Sequence, residues 1–270
     1  MHYHHPIVAM TQKLPISVSM IARNEAHNLP RSLASVADWV QEIVIVVNDC
    51  TDNTEEIARE FGATVSTQPW EGFREQKNKA LEPVTQPWVL ALDADEVVSP
   101  ELRDEIHAFF QGDDKWFNGV RFPRKVWFLG RWITHGDWYP DRVTRLFRKG
   151  SGSWTGSTEH CHVEVEGAVK TLRSDLLHYS NPDIASYVRK INFYADIYLE
   201  RQLAKNKKWS VVDAVFRPWW RFFRAYVLRL GFLDGFPGYY IAKATEFSTL
   251  VRHTRLYEHE HAETESSGQA

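Results

Sequence analysis

The chain has 270 residues, 43% of them hydrophobic, and a formal net charge of -3. That is enough for one sizeable core with an appendage, and the near-neutral charge excludes a general nucleic-acid binder. Cys50 and Cys161 are the only cysteines, which excludes a disulfide framework and fits a reducing compartment.

The first twelve residues read as a tail without the charged and apolar regions of a secretion signal. "ISVSMI" (16–21) predicts a buried strand. Asn28 and Pro30 then read as an N-cap and an early helical proline, with Leu29, Leu33, Val36 and Val40 as one helical stripe. "EIVIVV" (42–47) is a second strand. Asp52 with Glu55 resembles a cap, Ile57 and Phe61 line a helix face, and Gly62 ends that helix. "ATVST" (63–67) is a third strand, "GFREQKNKAL" a helix and "WVLAL" (88–92) a fourth strand. In "SPELRDEIHAFF" Ser99 is the N-cap, Pro100 opens the helix, and Leu102, Ile106 and Phe109 or Phe110 face inward.

This alternation predicts an α/β fold with a doubly wound, mostly parallel sheet. Ligands of such sheets bind outside the carboxyl ends of the strands. Asn24 and Glu25 follow the first strand, Asn48 and Asp49 the second, Asp93 and Asp95 the fourth. The rim so formed crowds carboxylates, with Arg23, Arg74 and Lys77 nearby. Like charges at such spacing repel unless a cation joins them. The rim therefore suits a divalent metal together with an anionic ligand. A solvated loop is the plainer account of Asp93 and Asp95 taken alone. The chain has neither G-x-G-x-x-G after the first strand nor a P-loop, so the usual dinucleotide and phosphate cradles are excluded.

Four segments, "SVSMIARNEAHNLPRSLASV", "EIVIVVNDCTDNT", "GFREQKNKAL" and "WVLALDADEVVSPEL", occur in the order and spacing seen in the donor half of inverting GT-A glycosyltransferases of family 2, and the chain resembles that family. "FLGRWITHGDWYPDRVTRLFRKG", "TEHCHVEVEG", "LLHYS" and "YVLRLGFLDGFPGYYIAKATEF" are similar to the branch holding lipopolysaccharide core β-1,4-glucosyltransferases. The resemblance implies a UDP-sugar donor and a bound Mg²⁺ or Mn²⁺. It implies that Ala22, Asn24 and Glu25 line the nucleotide cleft, that Asp49 meets uracil or ribose, and that Lys77 sits near base or phosphate. Asp93 would face the ribose, and Asp93 and Asp95 would form the metal pair. "VNDCTDNT" is one residue shorter than the commoner form, which shifts the alignment at Asn48 and Asp49.

An inverting transfer needs a base on the acceptor side. Asp137, Asp141 in "WYPDRVTRLFR", and Glu159 and His160 in "STEHCH" are the candidates, with Glu159 and Asp141 foremost. The related branch reads Val-His-Glu where this chain has His160 in the His position and Cys161 in the Glu position. His178 in "LLHYS" is a further candidate contact to metal or diphosphate. Trp132, Trp138 and Trp154 suit either acceptor sugars or core packing.

The implied layout is a tail (1–12), a GT-A catalytic domain (13–205, with a nucleotide-sugar half to 110 and an acceptor half from 111), an amphipathic region (206–258) and a disordered tail (259–270). In "RPWWRFFRAYVLRLGF", Trp219, Phe222, Phe223, Tyr226, Val227 and Leu230 fall on one stripe, with Arg217, Arg221 and Arg224 opposite. Such a helix packs on its own domain or lies in an anionic membrane interface. The expected activity is transfer of a hexose, glucose foremost, from a UDP-sugar to a saccharide acceptor. The acceptor expected is the lipopolysaccharide core or another lipid-linked glycan, met by a cytoplasmic protein peripheral to the inner face of the cytoplasmic membrane, with no nucleic-acid partner. A non-catalytic nucleotide-sugar-binding protein and an Asp-x-Asp phosphatase are the competing classes. The phosphatase is disfavoured because its nucleophile usually follows the first strand.

Overall fold

The computed structural model describes residues 13–157, 160–180 and 183–267. Their contacts form two compact units. One takes the chain up to Arg124 together with Asp141–His178; the other takes Lys125–Pro140 and the chain from Tyr179 onward. The division therefore falls after His178, where the sequence had placed a boundary after residue 205.

The first unit begins β1 (Leu14–Ala22), α1 (Leu29–Ala34), β2 (Val40–Val47), α2 (Thr54–Glu60), β3 (Thr64–Thr67), α3 (Phe73–Lys79), β4 (Trp88–Ala91), β5 (Glu96–Val98) and α4 (Pro100–Phe110). β6 (Gly119–Phe128) then leads to β7 (Arg131–Trp132) in the second unit. The chain returns as β8 (Asp141–Arg148), β9 (Gly152–Ser157), β10 (His160–Val165), β11 (Val169–Thr171) and β12 (Leu176–His178). The main sheet runs β3-β2-β1-β4-β8-β6-β12-β5. Its first four strands are parallel, as the alternation implied. β8 then pairs antiparallel with both β4 and β6.

The residues explain the parallel half. Ile16, Val18 and Met20 of β1 and Ile45 and Val47 of β2 are at most 2% exposed. A parallel strand is covered on both faces, which accounts for the near-continuous apolar run of β2. Each such side chain contributes roughly 1.5–3 kcal/mol on burial. Leu29, Leu33 and Val36 are buried as expected, but the helix stops at Ala34 and Val40 opens β2. Asn28 precedes α1 without capping it. Its Nδ2 donates to Glu25 Oε2 at 2.8 Å instead. Ser99 does cap α4, accepting from the Leu102 amide at 3.1 Å, a bond worth about 1 kcal/mol.

The second unit holds α5 (Ile184–Leu203), α6 (Val211–Phe223), a π-helical turn (Arg224–Leu228), a 3₁₀ turn (Gly231–Asp234) and α7 (Gly235–Ser267). α7 therefore continues through most of the 259–270 segment expected to lack structure. Phe128, Ile133 and Ile241 form its small apolar core, with Trp138, Ile184 and Tyr240 packed against them. Trp138 is thus a packing residue. Asp234 is fully buried and accepts from the amides of Thr134 (3.0 Å) and His135 (2.8 Å) and from the Thr134 hydroxyl (3.0 Å). α7 passes the 3₁₀ turn so closely that a Cβ on Gly238 would lie 1.9 Å from the Gly231 carbonyl oxygen.

Candidate active site

The parallel register brings the strand ends level. Ala22 pairs with Val47, so Asn24 and Asp49 both lie two residues past a matched pair. Both adopt positive φ, 56° and 44°, a conformation uncommon outside glycine and tolerated best by Asn and Asp. Asn24 Oδ1 accepts from the Thr51 amide at 2.7 Å, tying the two loops together. The Glu25 amide donates to Thr54 Oγ1 at 2.7 Å, and the Ala26 amide to Asp52 Oδ2 at 3.1 Å.

Inside this rim lies an ion network. Asp93 is paired with Lys77 through one oxygen and accepts from Arg145 Nη2 at 2.7 Å through the other. Arg145 also reaches Glu96, which is fully buried, at 2.7 Å. Arg124 bridges Glu96 at 3.0 Å and Asp141 at 2.6 Å. Three cations thus balance three carboxylates. Trp154 is 4% exposed and lies between Lys77 and Arg145, its ring centroid 4.1 Å and 5.0 Å from them. It is a floor for two cations and does not present its face to a sugar.

Burial would raise the Asp93 carboxyl, but Lys77 and Arg145 overcome it and hold the group far below the usual carboxylate range. Asp93 is ionised and has a cation at each oxygen, where the sequence had paired it with Asp95 as a metal ligand. Arg145 and Arg124 were not singled out in the sequence. The available signal is that Arg145 shares a strand face with Val143 and Phe147 in "RVTRLFR", a charged residue in an apolar alternation.

Glu25 and Asp95 stand outside this balance. Among the described residues, neither Glu25 nor Asp95 has a lysine or arginine in ion-pair contact. Burial raises the Glu25 pKa, and Asp95, Asp52 and Asp93 raise it further against the Asn28 hydrogen bond. Asp95 Oδ2 lies 3.3 Å from His178 Nε2. The pairing of β12 with β5 sets this contact, because it places His178 directly across from Glu96. No group of three or more His, Cys, Asp or Glu side chains able to hold a metal occurs among the described residues. The donor set of one carboxylate and one imidazole still fits a divalent cation that takes its remaining ligands from phosphate and water. Uncompensated negative charge on Glu25 and Asp95 points the same way.

The base candidates part company. Asp141 opens β8 and is held by Arg124. Glu159 lies outside the described residues. His160 begins β10, paired with Ser157 of β9. Cys161 follows it, half-buried, and burial pushes its thiol pKa up.

Residues 17–168 match the family described as Glycosyl transferase family 2. The chain belongs to glycosyl transferase family 2. An uncharacterized glycosyltransferase from Rickettsia felis is 31% identical over 90% of this chain and 89% of that protein. The lipopolysaccharide core biosynthesis glycosyltransferase LpsC from Rhizobium meliloti is 30% identical over 84% of each chain. Among solved structures, S. aureus TarS 1-349 in complex with UDP-GlcNAc aligns with a TM-score of 0.49 at 14% identity, over 87% of this chain and 81% of that one. Membership of family 2 sets the phosphatase class aside.

Proposed function

We propose that this family 2 enzyme transfers a hexose, glucose in our reading, from a UDP-sugar to a saccharide acceptor on a lipid-linked glycan, with inversion and with Mg²⁺ or Mn²⁺ as cofactor. The observation that carries this is the division of the rim into a balanced interior, Lys77, Asp93 and Arg145, and an unbalanced edge, Glu25 and Asp95. The similarity to LpsC supports the lipopolysaccharide core as acceptor.

In this reading Asp95 and His178 hold the cation, which offsets the negative charge that develops on the departing diphosphate. Lys77, fixed against Asp93 and Trp154, presents positive charge near the phosphates. Asp93 stays ionised and accepts from a ribose hydroxyl. Ala22, Asn24, Glu25 and Asp49 line the nucleotide. Glu159 or Asp141 takes the proton of the acceptor hydroxyl, with His160 beside the former in sequence.

Calorimetric titration with UDP, GDP and UDP-glucose, each with Mn²⁺ and with EDTA, tests the donor site. Metal-dependent binding of the uridine nucleotides is expected, and no nucleotide binding under any condition would overturn the reading. Glu159→Gln and Asp141→Asn then separate the base. The correct one should cut turnover by roughly two to four orders of magnitude with donor binding nearly intact. Full activity in both would remove both from the role. A second reading rests on Cys161, a thiol kept protonated by burial at the position where the related branch carries Glu. It expects UDP-sugar binding with neither transfer nor hydrolysis.

The second unit supports peripheral attachment to the inner face of the cytoplasmic membrane. No helix among the described residues is long and apolar enough to cross a membrane. Val212, Val215, Phe216 and Trp219 of α6 are 52–69% exposed at helical spacing, and Phe232, Leu233 and Phe236 continue the apolar surface past the turn. Patches of this kind mark interaction surfaces. The arginines opposite are not the lipid-facing charges expected from the sequence. Arg217 is paired with Asp213 at 2.8 Å, Arg224 with Asp137 at 2.7 Å, and Arg221 lies 3.7 Å from Asp137. Sedimentation with liposomes tests attachment. Wild-type protein should pellet and a Val215→Asp/Trp219→Asp variant should not, and failure of the wild type to pellet would end the idea.

A further inference from the structure

The second unit contains a cavity of about 260 Å³ between α5, α6 and α7 that the donor chemistry does not use. Arg252, Arg221 and Lys190 line it together with Tyr187 and Ser248, and no Asp or Glu does. Lys190 Nζ donates to the Ser180 carbonyl at 3.0 Å. Arg221 shares its one carboxylate neighbour, Asp137, with Arg224 and Arg229 at 2.7 and 3.1 Å. Three guanidiniums around one carboxylate leave a surplus of positive charge. Arg252 Nε is buried with no hydrogen-bond acceptor, and no described carboxylate forms an ion pair with this side chain.

Burial lowers the Arg252 pKa, Arg221 lowers it further, and only the tyrosines Tyr198, Tyr187 and Tyr194 oppose them. A folded chain keeps like charges together and a buried donor unpaired only at a cost in stability. An anion entering the cavity removes both penalties. The guanidinium fork matches the oxygens of a phosphate, and hydroxyls such as those of Tyr187 and Ser248 complete such a site as donors.

We propose that this cavity binds a phosphate-class anion through Arg252 and Arg221. The bearer is either a phosphorylated saccharide or a phospholipid headgroup, which share this chemistry. The site lies wholly within the second unit and does not depend on the donor reading above.

The test is calorimetric titration of the full chain with inorganic phosphate and with glucose 6-phosphate at low ionic strength, in wild type, Arg252→Gln, Arg252→Lys and Lys77→Ala. Arg252→Gln should weaken binding about tenfold or more, Arg252→Lys should recover part of it, and Lys77→Ala, at the donor rim, should leave it within about twofold. Loss in Lys77→Ala with no change in Arg252→Gln would place phosphate at the donor site and overturn the proposal. In wild type, phosphate should raise the melting midpoint over chloride at equal ionic strength, and absence of both heat and stabilisation would also overturn it, whatever the variants do. Phosphatidic acid vesicles complete the comparison. Weaker vesicle binding in Arg252→Gln names the headgroup, and unchanged vesicle binding with weakened glucose 6-phosphate names the saccharide. Equal behaviour of wild type and variant toward every probe removes the site.

Discussion

His178 Nε2 lies 3.3 Å from Asp95 Oδ2, joined across a sheet edge that the chain reaches only after passing through β6 to β11. The two residues should act as one. Asp95→Asn and His178→Gln should each weaken Mn²⁺-dependent UDP binding by about 10- to 100-fold. Their double variant should lose little more than either alone. Calorimetry with and without EDTA checks this, and additive losses would separate the two roles.

Arg145 should matter for stability beyond any effect on the donor. Arg145→Met leaves fully buried Glu96 with Arg124 as its only cation. Removing one partner of a buried ion pair costs about 3–5 kcal/mol. Urea unfolding should show a loss of that order, and adding Glu96→Gln should restore part of it. A loss under about 1 kcal/mol would mean that the network is solvated.

Asp93 gives a pH dependence whose sign is fixed. Its folded carboxyl is depressed by Lys77 and Arg145. The stabilisation is therefore complete above the unfolded value of about 4 and is lost as pH falls below it toward the depressed folded value. The stability gap between wild type and Asp93→Asn should be constant from about pH 7 to 5 and close below about pH 4. Urea midpoints across that range measure it, and a gap that widens in acid would reverse the assignment.

Glu25 works in the other direction. Burial and its acidic neighbours raise its pKa, so it gives up its proton less readily than a free glutamate. A divalent cation at the rim relieves the repulsion and expels that proton. Metal-nucleotide binding should release a fraction of a proton that grows as pH is lowered from neutrality, read from titrations in two buffers of different ionisation heat. Glu25→Gln should abolish the difference.

Gly238 should not tolerate a side chain. Gly238→Ala would drive a Cβ into the Gly231 carbonyl oxygen, a backbone atom that cannot swing aside. Roughly 1–3 kcal/mol of destabilisation is expected from overpacking, visible as a lower unfolding midpoint. An unchanged midpoint would mean that α7 and the turn separate freely.

The parallel half of the sheet was legible because each strand is a short apolar run closed by turn residues, and because Ser99, Pro100 and Gly62 mark helix ends locally. What the residues around Asp93 do was not legible. Arg145 and Glu96 gain their meaning from the antiparallel pairing of β8 on β4, and no local pattern announces a partner so far along the chain. The division between the units was hidden for a similar reason. Lys125–Pro140 sits in the middle of strand sequence, yet its neighbours are the late helices. On α6 the expected stripe ran past the helix end at Phe223, and Arg221 and Arg224 lie near Asp137, a carboxylate far from the helix in sequence that no helical period reveals.

That placement has a consequence. With Arg224 paired to Asp137 and Arg217 to Asp213, the exposed residues Val212, Val215, Phe216 and Trp219 of α6 offer area without charge of their own. If this face meets a bilayer, as proposed, the attachment should persist in molar salt, where attachment by basic residues fails. Such a face responds to gaps between headgroups, so lipid packing and curvature, more than lipid charge, would decide where the enzyme rests.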